Sequence, residues 1–467
     1  MSLADRSLVT TDDLSNEEIE AVFSLADEMS DSINKQSTVC QGKVMASLFF
    51  EPSTRTRLSF ETAMHRLGGN VISAVDIGAT SLAKGESIAD MARVVGDYAD
   101  IIVIRHPWEG AAKVVADYAG VPVINAGDGS HEHPTQTLCD LYTLKKERGT
   151  IRGLRIALCG DLKYGRTIHS LIYALARFGV ARIYFCPGRG LKMPPHVLRK
   201  LTQEYGGTLY QHPITKPPSL GQRVGAIYVT PSESHQLALM PDIEINIDIS
   251  EGALYVTRLQ KERAKDANQE AVSTEGYPVI NADLLKGKEF KHTIVMHPLP
   301  RLDELAYEID ADPRSMYFKQ AARGVPIRMA LIALLLGAKK TDISKPEALP
   351  AQKIAYPVYK QEFGVRCANS NCVSTQKGET RYIKPEFKMV DLKPLTLRCV
   401  YCEHETHPPY IASSDWHQGL LTNKKYHGAA SHLTRKIKPE NLIIFDSESE
   451  AQARGFKPSS YAIRKGE

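Results

Sequence analysis

The sequence predicts an α/β protein: two doubly wound parallel-sheet domains, then a small four-cysteine module and a short α+β tail. Three observations carry this reading. Short apolar runs alternate with stretches of helical periodicity, the pattern of strand–crossover–strand units. The alternation restarts after residue 150 and gives a second unit of similar size. Beyond residue 338 it stops, and Cys367, Cys372, Cys399 and Cys402 cluster instead. A chain of 467 residues is too long for one core, and about three domains is the natural expectation. The units are placed at 1–150 (with a return helix at 320–338), 151–319, 361–415 and 416–467, with 339–360 as a linker.

Composition narrows the class. With 43% hydrophobic and 24% charged residues, the chain reads as an ordinary soluble globular protein. From Trp416 onward nine Lys and Arg face five Asp and Glu, which accounts for the whole formal charge of +4. So mild an excess does not announce nucleic acid. The longest apolar run, Met329 to Ala338, is too short to span a bilayer. The N-terminus has no basic region leading into an apolar core, so no secretory leader is expected and a cytoplasmic location is.

The elements follow in order. Leu14-Ser15-Asn16-Glu17-Glu18 reads as a helix cap, followed by Ile19, Val22, Phe23 and Ala26 at helical spacing. Val44 to Phe50 is a buried-strand candidate. Phe60, Ala63, Met64 and Leu67 repeat at helical spacing, and Gly68-Gly69 is a stop. Val71 to Val75 is a strand, followed by a polar loop from Gly78 to Ser87. Ser87 then caps a helix whose expected apolar face is Ile88, Met91, Val94, Val95 and Tyr98. Strands at 101–104 and 121–126 end in Arg105-His106-Pro107 and Gly127-Asp128-Gly129, and a helix from about His133 to Arg148 closes the first unit. The second opens with the strand Leu154 to Asp161, a helix from Thr167 to Phe178 and a strand at 181–186. Residues 187–253 are less regular, with Tyr-Val-Thr repeated at Tyr228 and Tyr255. Val295 to Arg301 is a last strand running into a proline-locked loop, and Val325 to Gly337 a final helix. Each strand ends in polar residues, so the site belongs at the C-terminal edges of parallel sheets.

The run Phe49-Phe50-Glu51-Pro52-Ser53-Thr54-Arg55-Thr56-Arg57-Leu58-Ser59-Phe60-Glu61 sits where a strand turns into a helix. Unpaired N–H groups and the positive end of the helix dipole point there. A cap needs one hydroxyl; here Ser53, Thr54 and Thr56 are interleaved with arginine. The run is read as a site for a phosphate. Gly160-x4-Gly165 does not have the dinucleotide spacing, so no organic cofactor is expected.

Phe-x-x-Pro-Ser-Thr-Arg-Thr-Arg resembles the carbamoyl-phosphate signature of the transcarbamoylase family, and further motifs occur in family order through residue 338. Arg258-Leu259-Gln260 and His297-Pro298-Leu299-Pro300-Arg301 resemble its aspartate branch. The ornithine branch instead carries Ser-Met-Gly and a cysteine where Pro298 stands. The resemblance implies carbamoyl transfer from carbamoyl phosphate to the α-amine of L-aspartate, in pyrimidine biosynthesis. It assigns Ser53, Thr54, Arg55 and Thr56 to the phosphate, with Arg105 and His133 polarising the carbonyl oxygen as preorganised donors. Gln136 would hold the carbamoyl amide. Ser81 and Lys84 would reach the site of a neighbouring subunit in a homotrimer, or a multiple of one; the loop has a single lysine where some relatives have a second basic residue. A substrate with two carboxylates wants two guanidinium forks, and Arg166 and Arg258 would supply them. Gln260 would assist, and the Leu299 and Pro300 carbonyls would receive the amine. Glu51 is placed to pair with arginines across the cleft. The alternatives are a transcarbamoylase with another amine acceptor and a catalytically silent scaffold; the retention of Arg55, Lys84, Arg105, His133, Arg166 and Arg258 together argues against the latter.

Cys367-x4-Cys372 and, 26 residues on, Cys399-x2-Cys402 form a four-thiolate zinc pattern. With four cysteines no position is left for water, so the metal is expected to be structural. The phrases around these cysteines resemble the zinc domain of the regulatory chain of aspartate carbamoyltransferase. Too few residues separate Gly337 from Cys367 for that chain's nucleotide-binding domain, so control by CTP or ATP through it is not expected. Instead the module is expected to brace contacts between catalytic subunits. Cys40, Cys139, Cys159 and Cys186 read as buried reduced thiols. In the tail, 440–445 is a strand candidate and Ser447-x-x-Glu450 a capping box; His427 and His432 read as solvated, and no function is assigned to it.

Overall fold

Four parallel strands, β1 (Val44–Phe49), β2 (Asn70–Val75), β3 (Ile101–His106) and β4 (Val123–Asp128), form a first sheet in the order β2-β1-β3-β4. The structure, a computed structural model, describes residues 2–33, 35, 37–76, 78, 80–188, 190–211, 225–228, 249–260, 277, 279–340, 354–359, 365–414 and 424–459. Helices α1 (Asn16–Asp31), α2 (Thr54–Arg66), α3 (Ile88–Tyr98), α4 (Ala111–Tyr118) and α5 (Pro134–Arg148) belong to this lobe. The Ser15 hydroxyl accepts from the Glu18 N–H and Glu18 bonds back to the Ser15 N–H, so the predicted cap is a full capping box.

The second sheet is parallel and six-stranded among the described residues, in the order β10-β9-β5-β6-β8-β7. Its strands are β5 (Arg155–Gly160), β6 (Arg182–Pro187), β7 (Thr208–Gln211), β8 (Gly225–Tyr228), β9 (Ala253–Val256) and β10 (Ile294–Met296). Helices α6 (Arg166–Arg177) and α7 (Pro195–Tyr205) follow β5 and β6. Two short helices return the chain to the first lobe, α8 (Tyr317–Ala322) and α9 (Gly324–Leu335); α9 packs on α1 and α2. Leu331 and Ile332 of α9 share one continuous core with Phe23, Phe60, Leu138 and Leu171, so the two lobes are joined by buried apolar surface.

Two expectations change. In α3 the buried residues are Ile88, Ala89, Met91 and Ala92, whereas Val94 is 43% and Tyr98 66% exposed. Alanines face the core because α3 lies close against α4, and the larger residues turn outward. The stretch after residue 187, read as irregular, contains α7, started by Pro194-Pro195 and ended by Gly206 at φ +66°. Both Tyr-Val-Thr phrases mark parallel strands, β8 and β9, although Val229 and Thr230 lie outside the described residues, as do most of 187–253 and of the linker.

The cysteine module is an antiparallel sheet, β11 (Val358–Tyr359), β12 (Phe387–Leu392), β13 (Leu395–Cys399) and β14 (Glu405–Thr406). A further sheet spans the boundary drawn at 415/416: β15 (Tyr410–Ser413) pairs antiparallel with β16 (Lys425–Gly428) and with β17 (Leu442–Phe445), and β18 (Lys457–Pro458) flanks β16. Ser447 caps α10 (Glu448–Ala453) by accepting from the Glu450 N–H. The tail therefore packs as part of the module, with Ile411, Leu442 and Ile444 in the core that holds the cysteines.

The module docks on both lobes of its own chain. Towards the first lobe, the Glu109 N–H donates to the Asn371 carbonyl (3.0 Å) and the Val373 N–H to the Glu109 carbonyl (2.9 Å). Asn369 Nδ2 donates to the Glu109 carboxylate (2.7 Å), and Val373 and Ile383 enter that lobe's core. Glu379 accepts from the Ile88 N–H (3.1 Å), placing a carboxylate at the N-terminus of α3, where the dipole favours it. On the second lobe, Lys200 of α7 bonds Glu403 at 2.7 and 2.8 Å, Arg199 Nε meets Glu405 at 3.0 Å, and Arg398 pairs with Glu204. Burial pushes Glu403 up, but Lys200 overrides it and holds the carboxyl down at about 2. Removing the lysine leaves that half-buried carboxylate without its nearest cation. Lys200→Ala is therefore expected to cost about 1.5–3 kcal/mol, read by urea unfolding of the full chain, with a milder loss for Glu403→Gln; equal, small losses for both would contradict the pairing.

Candidate active site

In each sheet two neighbouring strands send the chain to opposite sides, β1 and β3 in the first and β5 and β9 in the second. Loops diverge there and leave a crevice at the C-terminal strand edges. The arginines of the predicted site sit at these two switch points. Arg55 follows β1, Arg105 ends β3, Arg166 opens the helix after β5, and Arg258 lies just beyond β9.

On the first lobe, Ser53 is the N-cap of α2, yet its side chain makes no capping bond to the helix. Arg55 lies exposed on the first turn beside the half-buried Thr56. Partial burial, and then the like charge of Arg258 on the second lobe, lower the Arg55 pKa. His133 is buried at the N-terminus of α5; its N–H donates to Ser170 Oγ (3.0 Å), and its Nδ1 lies 3.5 Å from Thr135 Oγ1. Gln136, on the first turn of that helix, donates through Nε2 to Asp140 (2.7 Å). Lys84 is exposed on a 3-10 turn, Ser81–Lys84, which follows the edge strand β2 in the chain.

On the second lobe, Asp161 organises the turn after β5 by accepting from the N–H groups of Lys163, Tyr164 and Gln260 at 3.1, 2.9 and 3.0 Å. This fixes Gln260 beside Arg258, whose Nη1 donates to the Leu259 carbonyl. The Leu299–Pro300 peptide is cis, and the Leu299 N–H donates to His297 Nδ1 (2.8 Å). His297 is held from its other nitrogen by Glu304 (2.9 Å), and burial lowers its pKa. The loop that carries the Leu299 and Pro300 carbonyls is thus anchored by a fixed imidazole.

Glu51 joins the lobes. Its carboxylate accepts from Arg105 Nη2 (2.9 Å) on the first lobe and from Arg166 Nη1 (2.9 Å) and Nη2 (3.0 Å) on the second. Arg166 Nη1 also donates to the Gly129 carbonyl (2.7 Å). The guanidinium crosses Gly127 so closely that a Cβ there would lie 2.9 Å from its central carbon, at a backbone φ of +114°. The sequence had singled out Arg105, Arg166 and Glu51; it missed Asp161, Ser170, Asp140, Tyr255, Gln320 and Glu304, which hold the named residues in place. One signal was available, since Asp140 follows Gln136 by four residues on one helix face.

Away from the cleft, the four cysteines of the module are buried, and one ligand atom from each lies within 4.8 Å of the others. Cys367 and Cys402 sulfurs are 3.5 Å apart and those of Cys372 and Cys399 3.7 Å. A tetrahedral metal with bonds of about 2.3 Å spaces its sulfurs by nearly that much, so the set fits a four-coordinate ion.

With Glu51 neutralised, Arg105 and Arg166 would face each other without their shared anion. Glu51→Gln is expected to separate the lobes, raising the radius of gyration in solution scattering, and to lower stability by about 1–3 kcal/mol. An unchanged scattering profile would show that the contact does not hold the cleft.

Comparison with known proteins matches this layout. The carbamoyl-P binding domain of aspartate/ornithine carbamoyltransferase matches residues 6–146, and the Asp/Orn binding domain of the same enzymes matches 232–335. The metal binding domain of the aspartate carbamoyltransferase regulatory chain matches 361–411. Among similar proteins, the aspartate carbamoyltransferase catalytic subunit of Thermococcus kodakarensis is 46% identical over 340 residues, covering 72% of this chain and 99% of that protein. That of Methanocaldococcus jannaschii is 44% identical over 333 residues, covering 71% and 98%. Among solved structures, the M. jannaschii catalytic subunit superposes with a TM-score of 0.57 at 41% identity, over 71% of this chain and 98% of that one. Aspartate transcarbamoylase from Trypanosoma cruzi, in complex with carbamoyl phosphate and aspartate, superposes with a TM-score of 0.60 at 36% identity, over 72% and 98%. The chain belongs to the aspartate carbamoyltransferase family, with a metal-binding domain of the regulatory-chain type fused behind its catalytic unit.

Proposed function

We propose that the protein transfers the carbamoyl group of carbamoyl phosphate to the α-amine of L-aspartate, giving N-carbamoyl-L-aspartate and phosphate in cytoplasmic pyrimidine biosynthesis. The observation that carries this is the meeting of Arg105 from one lobe and Arg166 from the other on the single carboxylate of Glu51, in the crevice that the run at 53–56 opens onto. Cations gathered from two lobes need anions between them, and this reaction brings a phosphate and two carboxylates. Relatives named for the same activity support the reading.

In this reading Ser53, Thr54, Arg55 and Thr56 hold the phosphate at the start of α2, with backbone N–H groups adding to the field. Arg105 and His133 donate to the carbonyl oxygen as it gains charge, and Gln136 holds the carbamoyl amide. Arg166, Arg258 and Gln260 bind the aspartate carboxylates, while the Leu299 and Pro300 carbonyls orient the amine. The incoming substrates compete with Glu51 for Arg105 and Arg166, so binding loosens the contact that spans the lobes. The amine then attacks the carbonyl carbon, the carbon–oxygen bond to phosphate breaks, and the leaving phosphate accepts the proton. Orientation and fixed charge supply the acceleration, with no covalent intermediate.

Lys84 and Ser81 stand on the turn that follows edge strand β2 in the chain; Ile72 and Val75 are exposed on that strand, and Leu58 on α2, which packs against it. This face is read as the contact with a second copy, in a homotrimer or a multiple of one, through which Lys84 completes the neighbour's site. The four-cysteine set is read as a structural zinc site, and no organic cofactor is invoked.

Colorimetric detection of carbamoylated product is expected with aspartate and not with ornithine. Arg55→Ala should lower turnover by about 10²–10³-fold. Mixing Arg55→Ala with Lys84→Ala subunits should restore part of the activity, since a shared site regenerates one intact copy. No turnover with either acceptor, from folded protein, would leave the silent scaffold. For the metal, elemental analysis should find one zinc per chain in the wild type and none in Cys372→Ser, together with a lowered melting temperature. Metal-free protein that melts unchanged would contradict a structural ion.

A further inference from the structure

Asp140 belongs to none of the groups assigned above, yet it ties three parts of the cleft together. Its carboxylate is fully buried on α5. Oδ1 accepts from Gln136 Nε2 (2.7 Å) and from Gln320 Nε2 (2.6 Å), and Oδ2 accepts from the Tyr255 hydroxyl (2.8 Å). Gln320 in turn accepts the His297 N–H (2.9 Å), at the root of the loop carrying Leu299 and Pro300. The hub thus joins the first helix turn of one lobe, strand β9 of the other and the returning α8.

An ionised carboxylate can only accept hydrogen bonds. The atom of Gln136 that faces Asp140 must therefore be the amide nitrogen, which leaves the amide oxygen as the atom offered to a ligand. An oxygen there welcomes an N–H and gains nothing from a methyl group. We infer that Asp140 is a specificity-determining positioning residue: by pinning the Gln136 amide in one orientation, it makes the site select a carbamoyl group over an isosteric acyl group. The inference rests on the proposed role of Gln136 as the group that holds the carbamoyl amide. Burial pushes the Asp140 carboxyl up to about 7, although its three donors and Arg328 favour the charge; above that pH it is ionised and its acceptor character is complete.

Leucine in the same place is nearly isosteric but offers no acceptor, so the Gln136 amide is free to turn over. The test compares phosphonoacetamide with acetonylphosphonate, which differ only in NH₂ against CH₃ and do not need turnover to be read. Binding is measured by titration calorimetry at pH 8.5 on the full-length wild type and on Asp140→Leu. The wild type should prefer the amide by roughly tenfold or more, the worth of one well-made buried hydrogen bond. Asp140→Leu should bring the preference close to unity while both ligands still bind through the phosphonate. A merely structural defect weakens both ligands together and leaves their ratio intact. Should Asp140→Leu fail to fold, Asp140→Ser, too short to reach Gln136, carries the same expectation. A preference unchanged in the variant, or absent from the wild type, overturns the inference. A wild type that binds neither phosphonate and turns over no carbamoyl phosphate instead overturns the proposed function.

Discussion

One carboxylate between two lobes governs the cleft. Glu51 is shared by Arg105 and Arg166, and without it the crevice would be lined by guanidinium groups facing one another in a poorly solvated space. Like charges at such range repel by about 3 kcal/mol, a sizeable share of the net stability of a domain. The internal anion allows the cationic site to be assembled before any ligand arrives. It is only partly buried, so a phosphate or carboxylate of the substrate can take over its partners as they become engaged. The resting contact and the bound state thus use the same donors.

Around that contact, each placing device is local and cheap in sequence. A glycine at positive φ lets Arg166 pass, one aspartate gathers three N–H groups of the turn that ends at Gln260, and one histidine fixes the loop before Pro300. The apolar core that runs through α9 into both lobes gives these devices a common frame. Positioning to within fractions of an ångström then follows from rigid strand ends rather than from the loops themselves.

How much was legible in the sequence depended on whether the determining neighbours were close along the chain. The phosphate-type motif was readable because a strand end, a helix start and three hydroxyls fall within a dozen residues. The four cysteines were readable because metal ligands impose their own spacing. The capping box at Ser15 and the strand and helix at the end of the tail were readable for the same local reason. The role of Glu51 was only half visible, since its partners lie 54 and 115 residues away. Apart from its place one turn after Gln136, nothing local distinguishes Asp140 as a hub, because Tyr255 and Gln320 reach it from other elements. The outward turn of Val94 and Tyr98 was not readable either, as periodicity alone cannot tell an alanine-lined helix contact from a bulky one.

The fusion of the cysteine module has a consequence for assembly. Its grip on the first lobe and its ion pairs on the second are each modest patches of the kind that two separate proteins form only weakly. Held on the same chain, the module meets its seat at an effective concentration in the millimolar range, whatever the concentration of the protein. The brace therefore survives dilution, and the two lobes carry it with them from synthesis onward rather than recruiting it.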